Sequence, residues 1–100
     1  MNPFIEYIRA ALEMVTKGFS YESVFRYLRC DMSGLGRDQV DMLENYVLAL
    51  GIHGYKKWSE KWVRVYRTMD PEDIQVLNEY REIFVREAEI LAQGFSSGKR

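Results

Sequence analysis

The sequence has 100 residues, 47% of them hydrophobic and 14% aromatic, and its 14 basic residues nearly balance its 15 acidic ones. This length forms one small domain with a single core. The net charge of −1 argues against a histone-like or tail-like nucleic-acid binder, but it leaves room for a local basic patch. No apolar run approaches the roughly 20 residues that span a bilayer, and the start lacks the pattern of a signal peptide. A single cysteine, Cys30, cannot form an internal disulfide, so we expect a soluble, cytoplasmic protein without membrane contact.

The first predicted helix runs from about Pro3 to Thr16, with Asn2 as its N-cap and Pro3 at the first helical position. Apolar residues cover most of its circumference, which is typical of a helix buried between neighbours. These residues are Phe4, Ile5, Tyr7, Ile8, Ala11, Leu12, Met14 and Val15. One small domain covers only part of such a helix, so we expect the chain to self-associate. We expect that contact to be made partly by Phe4, Tyr7, Ala11 or Met14.

Two further helices are predicted to form a hairpin over residues 20–50. The first spans about Tyr21 to Cys30 and is capped by Ser20. The second spans about Arg37 to Leu50 and ends at Gly51. Apolar residues recur at helical spacing on the inner face of both helices. They are Tyr21, Val24, Phe25, Leu28, Val40, Leu43, Val47 and Leu50.

Residues 52–69 carry an ambiguous pattern. The spacing of Trp58 and Trp62 suits a short helix, whereas the alternation from Trp62 to Arg67 suits an extended segment. The turn signal at His53 and Gly54 precedes both. We favour a helix or an irregular connector here.

The last predicted helix is long and runs from about Pro71 to Gln93, with Asp70 as its N-cap. Its inner face is predicted to consist of Val76, Leu77, Tyr80, Ile83, Phe84, Ala88 and Leu91. The Gly-, Ser- and Lys-rich end is expected to fray, so that one domain covers 1–94 and a flexible tail covers 95–100. The predicted fold is therefore all-α, a small bundle of four to five helices with a helical hairpin and a long C-terminal helix.

The residues that usually carry catalysis lack a suitable arrangement. The sequence contains no phosphate-binding loop, zinc-protease motif, paired CxxC or nucleophile elbow. The single histidine, His53, is expected to face solvent in a turn. Glu79, Glu82 and Glu89 lie opposite the apolar stripe of the last helix, where charges solvate a helix. Cys30 lies near a helix C-terminus, which does not activate a thiol, so we predict no enzyme activity, cofactor or metal site for this chain.

One candidate for function is the stretch from Tyr55 to Arg67, in which five cations and one acid are interleaved with four aromatic residues. This composition is typical of a surface that faces nucleic acid, where cations pair with phosphates and aromatic rings stack on exposed bases. The alternative is that Trp58 and Trp62 anchor the core while lysines solvate its rim. The candidate DNA contacts in this stretch are Lys56, Lys57, Trp58, Lys61 and Arg64.

A second candidate is the glycine-containing turn inside the helical hairpin. Glycines in such a turn let backbone N–H groups approach a phosphate, and the following helix N-terminus favours an anion. An ordinary linker between two helices explains the same residues equally well. The candidate DNA contacts here are Arg29, Gly34, Gly36 and Arg37.

Several segments together resemble the AddB-type subunits of bacterial AddAB helicase–nucleases. Ser20–Arg29 is similar to the family's "YE-x-VFRYLKT", and Gly36–Ala49 resembles "SREEIDLLENYVLA". Ile52–Trp58 resembles "GIRG-x-x-x-W", and Asn2–Val15 is similar to "HPLVELIRSALE". The resemblance extends to about Trp62 and is specific, because LENYVLA is not a generic helical string. One departure is Gly36, where the family often has serine, a stronger N-cap.

The resemblance implies a helical segment of a Superfamily I helicase-like arm, in the region of the 2B subdomain. The nucleotide-binding motif, the nuclease domain and the iron–sulfur cluster of the family would lie in other parts of the full-length protein. The implied partners are the rest of the AddB-like chain, an AddA-like subunit and duplex DNA. On this interpretation the chain is a non-catalytic, DNA-proximal element in the repair of double-strand breaks by recombination. The alternative is a free-standing helical adaptor that binds a protein through an exposed aromatic groove.

Overall fold

The computed structural model describes residues 3–30 and 32–97, so the predicted N-cap Asn2 and the end of the predicted tail, 98–100, lie outside the described residues. The described residues form five helices and no strand. The helices are α1 (Pro3–Thr16), α2 (Tyr21–Leu28), α3 (Arg37–Leu50), α4 (Tyr55–Ser59) and α5 (Asp73–Ser97). The predicted all-α bundle, its hairpin and its long C-terminal helix are confirmed.

The N-termini of α2 and α3 use two different caps. Ser20 Oγ accepts a hydrogen bond from the Ser23 N–H at 3.4 Å, as its cap position predicts. Gly36 has no side chain to offer to α3. Instead, the Gln39 side chain turns back and its Oε1 accepts from the Gly36 N–H at 2.8 Å. This bond compensates in part for the absence of a serine at the start of α3.

A left-handed pair of residues ends α1 and turns the chain into α2. Gly18 has φ 67° and Phe19 has φ 58°, a conformation that costs about 1 kcal/mol or more for a residue with a side chain. Phe19 is nevertheless buried, and its N–H donates to the Met14 carbonyl at 2.9 Å. Its carbonyl accepts from the Gly54 N–H at 3.1 Å. The strained residue therefore joins the end of α1 to the start of α4.

An aromatic cluster forms the centre of the core, with Phe84 of α5 at its middle. The Phe84 ring centroid lies 4.7 Å from Trp58, 6.0 Å from Tyr27 and 6.4 Å from Phe19. These separations are those of aromatic pairs that stabilise by more than their buried area. Helix α5 thus contributes a central ring against which α2, α4 and the turn after α1 pack.

The buried face of α1 differs from the prediction. Ala10, Ala11 and Met14 are buried, because the two small alanine side chains allow α1 to lie close to its neighbours. Phe4, Ile5 and Leu12 of the predicted stripe are exposed. The expectation that Ala11 and Met14 make contacts between chains is therefore wrong, since their own domain covers them.

Helix α5 begins two residues later than predicted and extends four residues further. The Asp70 side chain accepts from the Glu72 N–H at 3.1 Å, but Pro71 lies in the turn that precedes the helix. The helical backbone continues to Ser97, beyond the predicted end of the domain at 94. On its inner face, the predicted core residue Ile83 is exposed, whereas Asn78 and Arg81 are buried.

Candidate nucleic-acid interface

The basic stretch identified from the sequence, residues 55–67, consists of α4 followed by a segment without regular secondary structure, and we call it the connector. The side chain of Asn78 in α5 hydrogen-bonds the backbone of the connector at Trp62, on both the N–H and the carbonyl group. The Asn78 Oδ1 accepts from the Trp62 N–H at 2.9 Å, and its Nδ2 donates to the Trp62 carbonyl at 2.8 Å. Because both groups are buried, this pairing satisfies polar atoms that would otherwise be costly to bury.

Arg81 holds the connector at a second point, one turn along α5. Its Nη1 donates to the Trp58 carbonyl at 3.0 Å, and its Nε donates to Asn78 Oδ1 at 2.9 Å. The guanidinium carbon lies 5.9 Å from the centroid of the Trp62 ring, within the range of a cation–π contact. Burial lowers the pKa of Arg81 from its usual value, partly offset by the nearby Glu82 carboxylate. Asn78 and Arg81 thus join α5 to both ends of the segment between the tryptophans.

The two tryptophans are core residues. Trp58 is 1% exposed and Trp62 is 5% exposed, so neither ring can stack on a nucleic-acid base. The candidate DNA contact through Trp58 is therefore wrong, and the alternative of aromatic core anchors is confirmed. The Tyr46 ring lies nearly parallel to Trp62, with centroids 4.8 Å apart, and the Tyr46 hydroxyl donates to the Arg64 carbonyl at 2.7 Å. Aromatic packing thus turns the connector's cations outward.

All five cations of the connector are exposed. They are Lys56, Lys57, Lys61, Arg64 and Arg67. None of them forms an ion pair with another residue in the described ranges 3–30 and 32–97. Four of these positions were predicted as DNA contacts, and all four present an uncompensated charge to solvent. Such charges are available to bind phosphates.

An open groove of about 190 Å³ runs between the C-terminal end of α3 and the connector. Lys57, Lys61 and Arg64 line it, with Glu60 as the single acid. The remaining lining residues are Tyr46, Leu50, Gly51, Ile52, Trp62 and Val63. The groove therefore combines a cationic edge with an apolar wall.

The glycine turn, predicted as a phosphate cradle, lies beside a carboxylate. A side chain built on Gly34 would overlap the carboxylate of Glu87 from α5, and Tyr27 donates its hydroxyl proton to the same carboxylate at 2.5 Å. The missing side chain at Gly34 thus lets the Glu87 carboxylate come close to the turn, and a carboxylate repels phosphate. The N–H of Gly36 is already donated to Gln39. These contacts disfavour phosphate binding at Gly34 and Gly36, which stay predicted contacts.

The two arginines that flank the turn differ from each other. Arg29 pairs with Asp41 at 2.8 Å and with Glu44, and hydrogen bonds to these carboxylates raise its pKa. Its charge is locally compensated, which disfavours a phosphate contact. Arg37 is exposed at the start of α3 and has no ion pair among the described residues, so it stays a candidate contact.

The remaining residues considered for catalysis have the exposure that the sequence predicts. His53, Glu79, Glu82 and Glu89 are exposed, and Cys30 is half-buried with its thiol 3.5 Å from the Arg26 carbonyl. Across the described part of the chain, no three histidine, cysteine or acidic residues come together as metal ligands would. Nor is any helix there long and apolar enough to cross a membrane.

Asn78 and Arg81 are the two important residues that sequence reasoning missed. Both lie on the inner face of α5 beside Leu77 and Phe84, at positions where the helical period places buried side chains. An amide and a guanidinium at such positions are a signal, because buried polar groups require hydrogen-bond partners. The most accessible partners are backbone groups of an irregular segment such as the connector.

Fold and surface together define a small all-α segment with one cationic edge. Comparison with curated proteins identifies its relatives as ATP-dependent helicase/deoxyribonuclease subunits of the B type. The protein of Lachnoclostridium phytofermentans is 38% identical over 98 residues, which cover 98% of this chain and 8% of the relative. That of Desulforamulus reducens is 45% identical over 92% of this chain and 7% of the relative, and that of Caldanaerobacter subterraneus is 42% identical over 82% and 8%. No family profile and no solved structure matches the chain.

The chain therefore belongs, as a segment, to the AddB-type family of helicase/deoxyribonuclease subunits, and the resemblance predicted from the sequence is confirmed. It spans less than a tenth of the length of these relatives. The match of 98 residues also extends the similarity beyond Trp62, through the second half of the connector and α5.

Proposed function

We propose that this chain is a non-catalytic element of an AddB-type helicase–nuclease protein, and that its connector contacts the backbone of duplex DNA during double-strand break repair by recombination. The observation that carries the proposal is the set of five exposed cations on the connector, which form no ion pair with any residue that the structure describes. Asn78 and Arg81 hold the backbone beneath these cations by hydrogen bonds to Trp62 and Trp58. A preorganised cationic edge loses little conformational freedom when it meets a row of phosphates.

The contact would be independent of base sequence. Trp58 and Trp62 are buried, so the connector offers charges rather than aromatic platforms. Phosphate contacts position a protein on DNA, whereas base contacts specify sequence. A segment of this kind suits an enzyme that moves along any duplex end.

The proposed partners are the rest of the AddB-type chain, an AddA-type subunit and, for the isolated chain, a second copy. We also infer a cytoplasmic location. The exposed apolar side chains of Ile5 and Leu12 on α1 support a protein contact, because such side chains bury apolar area against a neighbour. A free-standing adaptor with an exposed aromatic groove is less favoured, since both tryptophans of the connector belong to the core.

A salt titration of duplex binding, followed by fluorescence anisotropy, tests the proposal. We expect a dissociation constant of about 10⁻⁴ to 10⁻⁶ M at physiological salt. The logarithm of affinity should fall with the logarithm of salt by roughly 0.9 for each neutralised phosphate. Replacing Lys56, Lys57 and Lys61 with glutamine should flatten that slope by up to about three phosphates.

A matched control removes the same number of charges elsewhere. Arg9, Arg26 and Arg86 lie on α1, α2 and α5, outside the connector, and their replacement by glutamine should leave the slope nearly unchanged. A third variant, Arg29→Gln with Arg37→Gln, tests the turn separately. Equal salt slopes in the connector variant and in the control would contradict the proposed DNA contact. The connector's cations would then only solvate the rim of an aromatic core.

A further inference from the structure

Helix α5 carries exposed apolar side chains on the face that points away from the core. Ile83 is 42% exposed and Ile90 is 65% exposed. They lie seven residues apart, which is about two helical turns, so both side chains stand on one line along the helix. Between them, Arg86 and Glu87 lie on opposite sides of that line, because successive residues of a helix point about 100° apart. We call these four residues the α5 stripe.

The two charges of the α5 stripe have no ion-pair partner within the described part of their own chain. Arg86 and Glu87 cannot pair with each other, since adjacent side chains of a helix do not face one another. The acids one turn away from Arg86 are engaged elsewhere. Glu82 lies 3.5 Å from a guanidinium group of α5, and Glu89 accepts from a tyrosine hydroxyl of α4 at 2.9 Å. Both charges of the stripe are therefore open to a partner from outside the chain.

The Glu87 side chain is held in place before any partner binds. Its Oε1 accepts from the Tyr27 hydroxyl at 2.5 Å, and its Oε2 lies beside Gly34, where an added side chain would overlap it. The carboxylate is half-buried, so water solvates it only in part. A cation that reaches Glu87 from another molecule compensates this charge and meets a side chain with little conformational freedom left to lose.

A second copy of the chain provides that cation when the two α5 helices lie parallel. In a parallel pair with a two-fold axis along the helices, equal positions meet at the centre, and the left side of one stripe faces the right side of the other. Each isoleucine then contacts its counterpart, and Arg86 of each copy lies beside Glu87 of the other. In an antiparallel two-fold pair, equal sides face each other, so arginine meets arginine and glutamate meets glutamate. The charges therefore select the parallel orientation.

We propose that two copies of the chain form a parallel, two-fold symmetric dimer through the α5 stripe. Two apolar layers, about two turns apart, flank the two ion pairs. The interface is small, so the dimer belongs to the weak class whose population depends on protein concentration. This surface is separate from the exposed side of α1. It uses none of the connector's cations, so the dimer is independent of the proposed DNA contact.

Sedimentation equilibrium over a range of protein concentrations tests the ion pairs of the dimer. Arg86→Glu should weaken association about tenfold or more, because both ion pairs become contacts between like charges. Glu87→Gln keeps an acceptor for the Tyr27 hydroxyl and removes the charge, so it should weaken association about threefold. The matched control is Arg37→Glu, the same change of charge at an exposed position of α3, which should leave association unchanged.

The apolar layers are tested by Ile90→Gln. This change should weaken association about tenfold or more, since each dimer loses two apolar contacts. Leu48→Gln is the control, at an α3 side chain that is 59% exposed, and it should have no effect.

A cysteine cross-link tests the orientation, in a Cys30→Ser background with Ile90→Cys. In the parallel dimer the two residues at position 90 are direct neighbours. In an antiparallel dimer centred on the charged pair they would lie about 10 Å apart along the helices, beyond the roughly 4–7 Å between Cα atoms that a disulfide spans. We expect a disulfide-linked dimer on mild oxidation with Ile90→Cys, and none with Leu48→Cys.

The proposal is overturned if the unsubstituted chain forms no dimer, if Arg86→Glu and Arg37→Glu associate equally, or if the two cysteine variants cross-link to the same extent. It is also overturned if association survives Arg86→Glu but is lost in Ile5→Gln with Leu12→Gln, which would leave α1 as the contact between copies. The salt slope of duplex binding should be nearly the same for Arg86→Glu and for the unsubstituted chain. Failure of the dimer and failure of the DNA contact are therefore distinguishable.

Discussion

Asn78 in α5 hydrogen-bonds both the N–H and the carbonyl of Trp62, at 2.9 Å and 2.8 Å, and so pairs with a residue 16 positions away as a strand would. The same side chain also donates to the Ile74 carbonyl at 3.0 Å and accepts from Arg81. One amide therefore satisfies four hydrogen bonds at the junction of α5 and the connector. This junction is the polar part of an otherwise aromatic core.

Replacing Asn78 with alanine should destabilise the chain strongly. The change leaves the N–H and carbonyl of Trp62 buried without partners, and each orphaned group costs about 1–3 kcal/mol. Urea unfolding followed by circular dichroism measures the loss. Gln75→Ala, at an exposed position of the same helix, is the control and should change the free energy of unfolding by less than about 0.5 kcal/mol. Equal effects of the two changes would show that the pairing is energetically unimportant.

Replacing Gly34 with alanine should also destabilise the fold. The added methyl group would overlap the Glu87 carboxylate, which Tyr27 holds by a hydrogen bond of 2.5 Å. Moving that carboxylate breaks a bond to a charged group, at a cost of about 1.5–3 kcal/mol. The control is Gly94→Ala, which meets no atom within 4 Å and should stabilise α5 by up to about 1 kcal/mol. A neutral Gly34→Ala variant would mean that Glu87 moves freely.

Stability should fall in alkaline solution because of Tyr27. Burial and the hydrogen bond to Glu87 raise the pKa of Tyr27 well above its usual value, so the folded chain keeps the phenol proton. Above about pH 10 the unfolded chain loses this proton, and stability declines by about 1.4 kcal/mol per pH unit for each such tyrosine. Below that pH the contribution is fully present.

The measurement is the free energy of unfolding from about pH 8 to 11, with Tyr27→Phe for comparison. The phenylalanine variant should show a shallower decline, although not a flat one. Tyr21, Tyr46 and Tyr55 also have raised pKa values, the first mainly through its bond to Glu44 and the others mainly through burial. Parallel declines in both proteins would contradict the assignment to Tyr27.

The isolated chain should associate through the exposed side of α1. Ile5 and Leu12 are exposed one above the other, seven residues apart, and are expected to bury apolar area between copies. Ile5→Gln with Leu12→Gln should lower the mass seen by light scattering at high protein concentration. Leu48→Gln, at an exposed leucine of α3, should leave that mass unchanged. If the unsubstituted chain is monomeric at every concentration, self-association is refuted.

The sequence by itself determined the elements of the fold, because caps and helical periods act over a few residues. Ser20 caps α2 as predicted, and Gly51 ends α3 in the left-handed conformation with φ 66°. The segment LENYVLA, from Leu43 to Ala49, carried the family resemblance that the relatives confirm. These features are readable because each depends on residues close together in the chain.

Tertiary structure alone decided which side chains are available for function. Trp58 and Lys57 are neighbours in a basic, aromatic stretch, yet Phe84 and Arg81 of α5 cover the first and leave the second exposed. Burial depends on what packs opposite a residue, and here the opposite residue lies more than twenty positions away. The sequence pattern could therefore identify the connector as a basic, aromatic stretch. It could not predict that the tryptophans are buried in the core while the cations are exposed.

At the glycine turn, too, residues distant in the sequence decide which groups are available for function. Its residues suit a phosphate cradle, but Glu87 occupies the space beside Gly34 and binds Tyr27, 60 positions earlier in the chain. Only the packing of α5 into the core brings that carboxylate to the turn, where Tyr27 of α2 donates a hydrogen bond to it. The glycines of a turn determine how closely its backbone N–H groups can approach an anion. A carboxylate that the tertiary structure places beside them, here Glu87, disfavours anion binding.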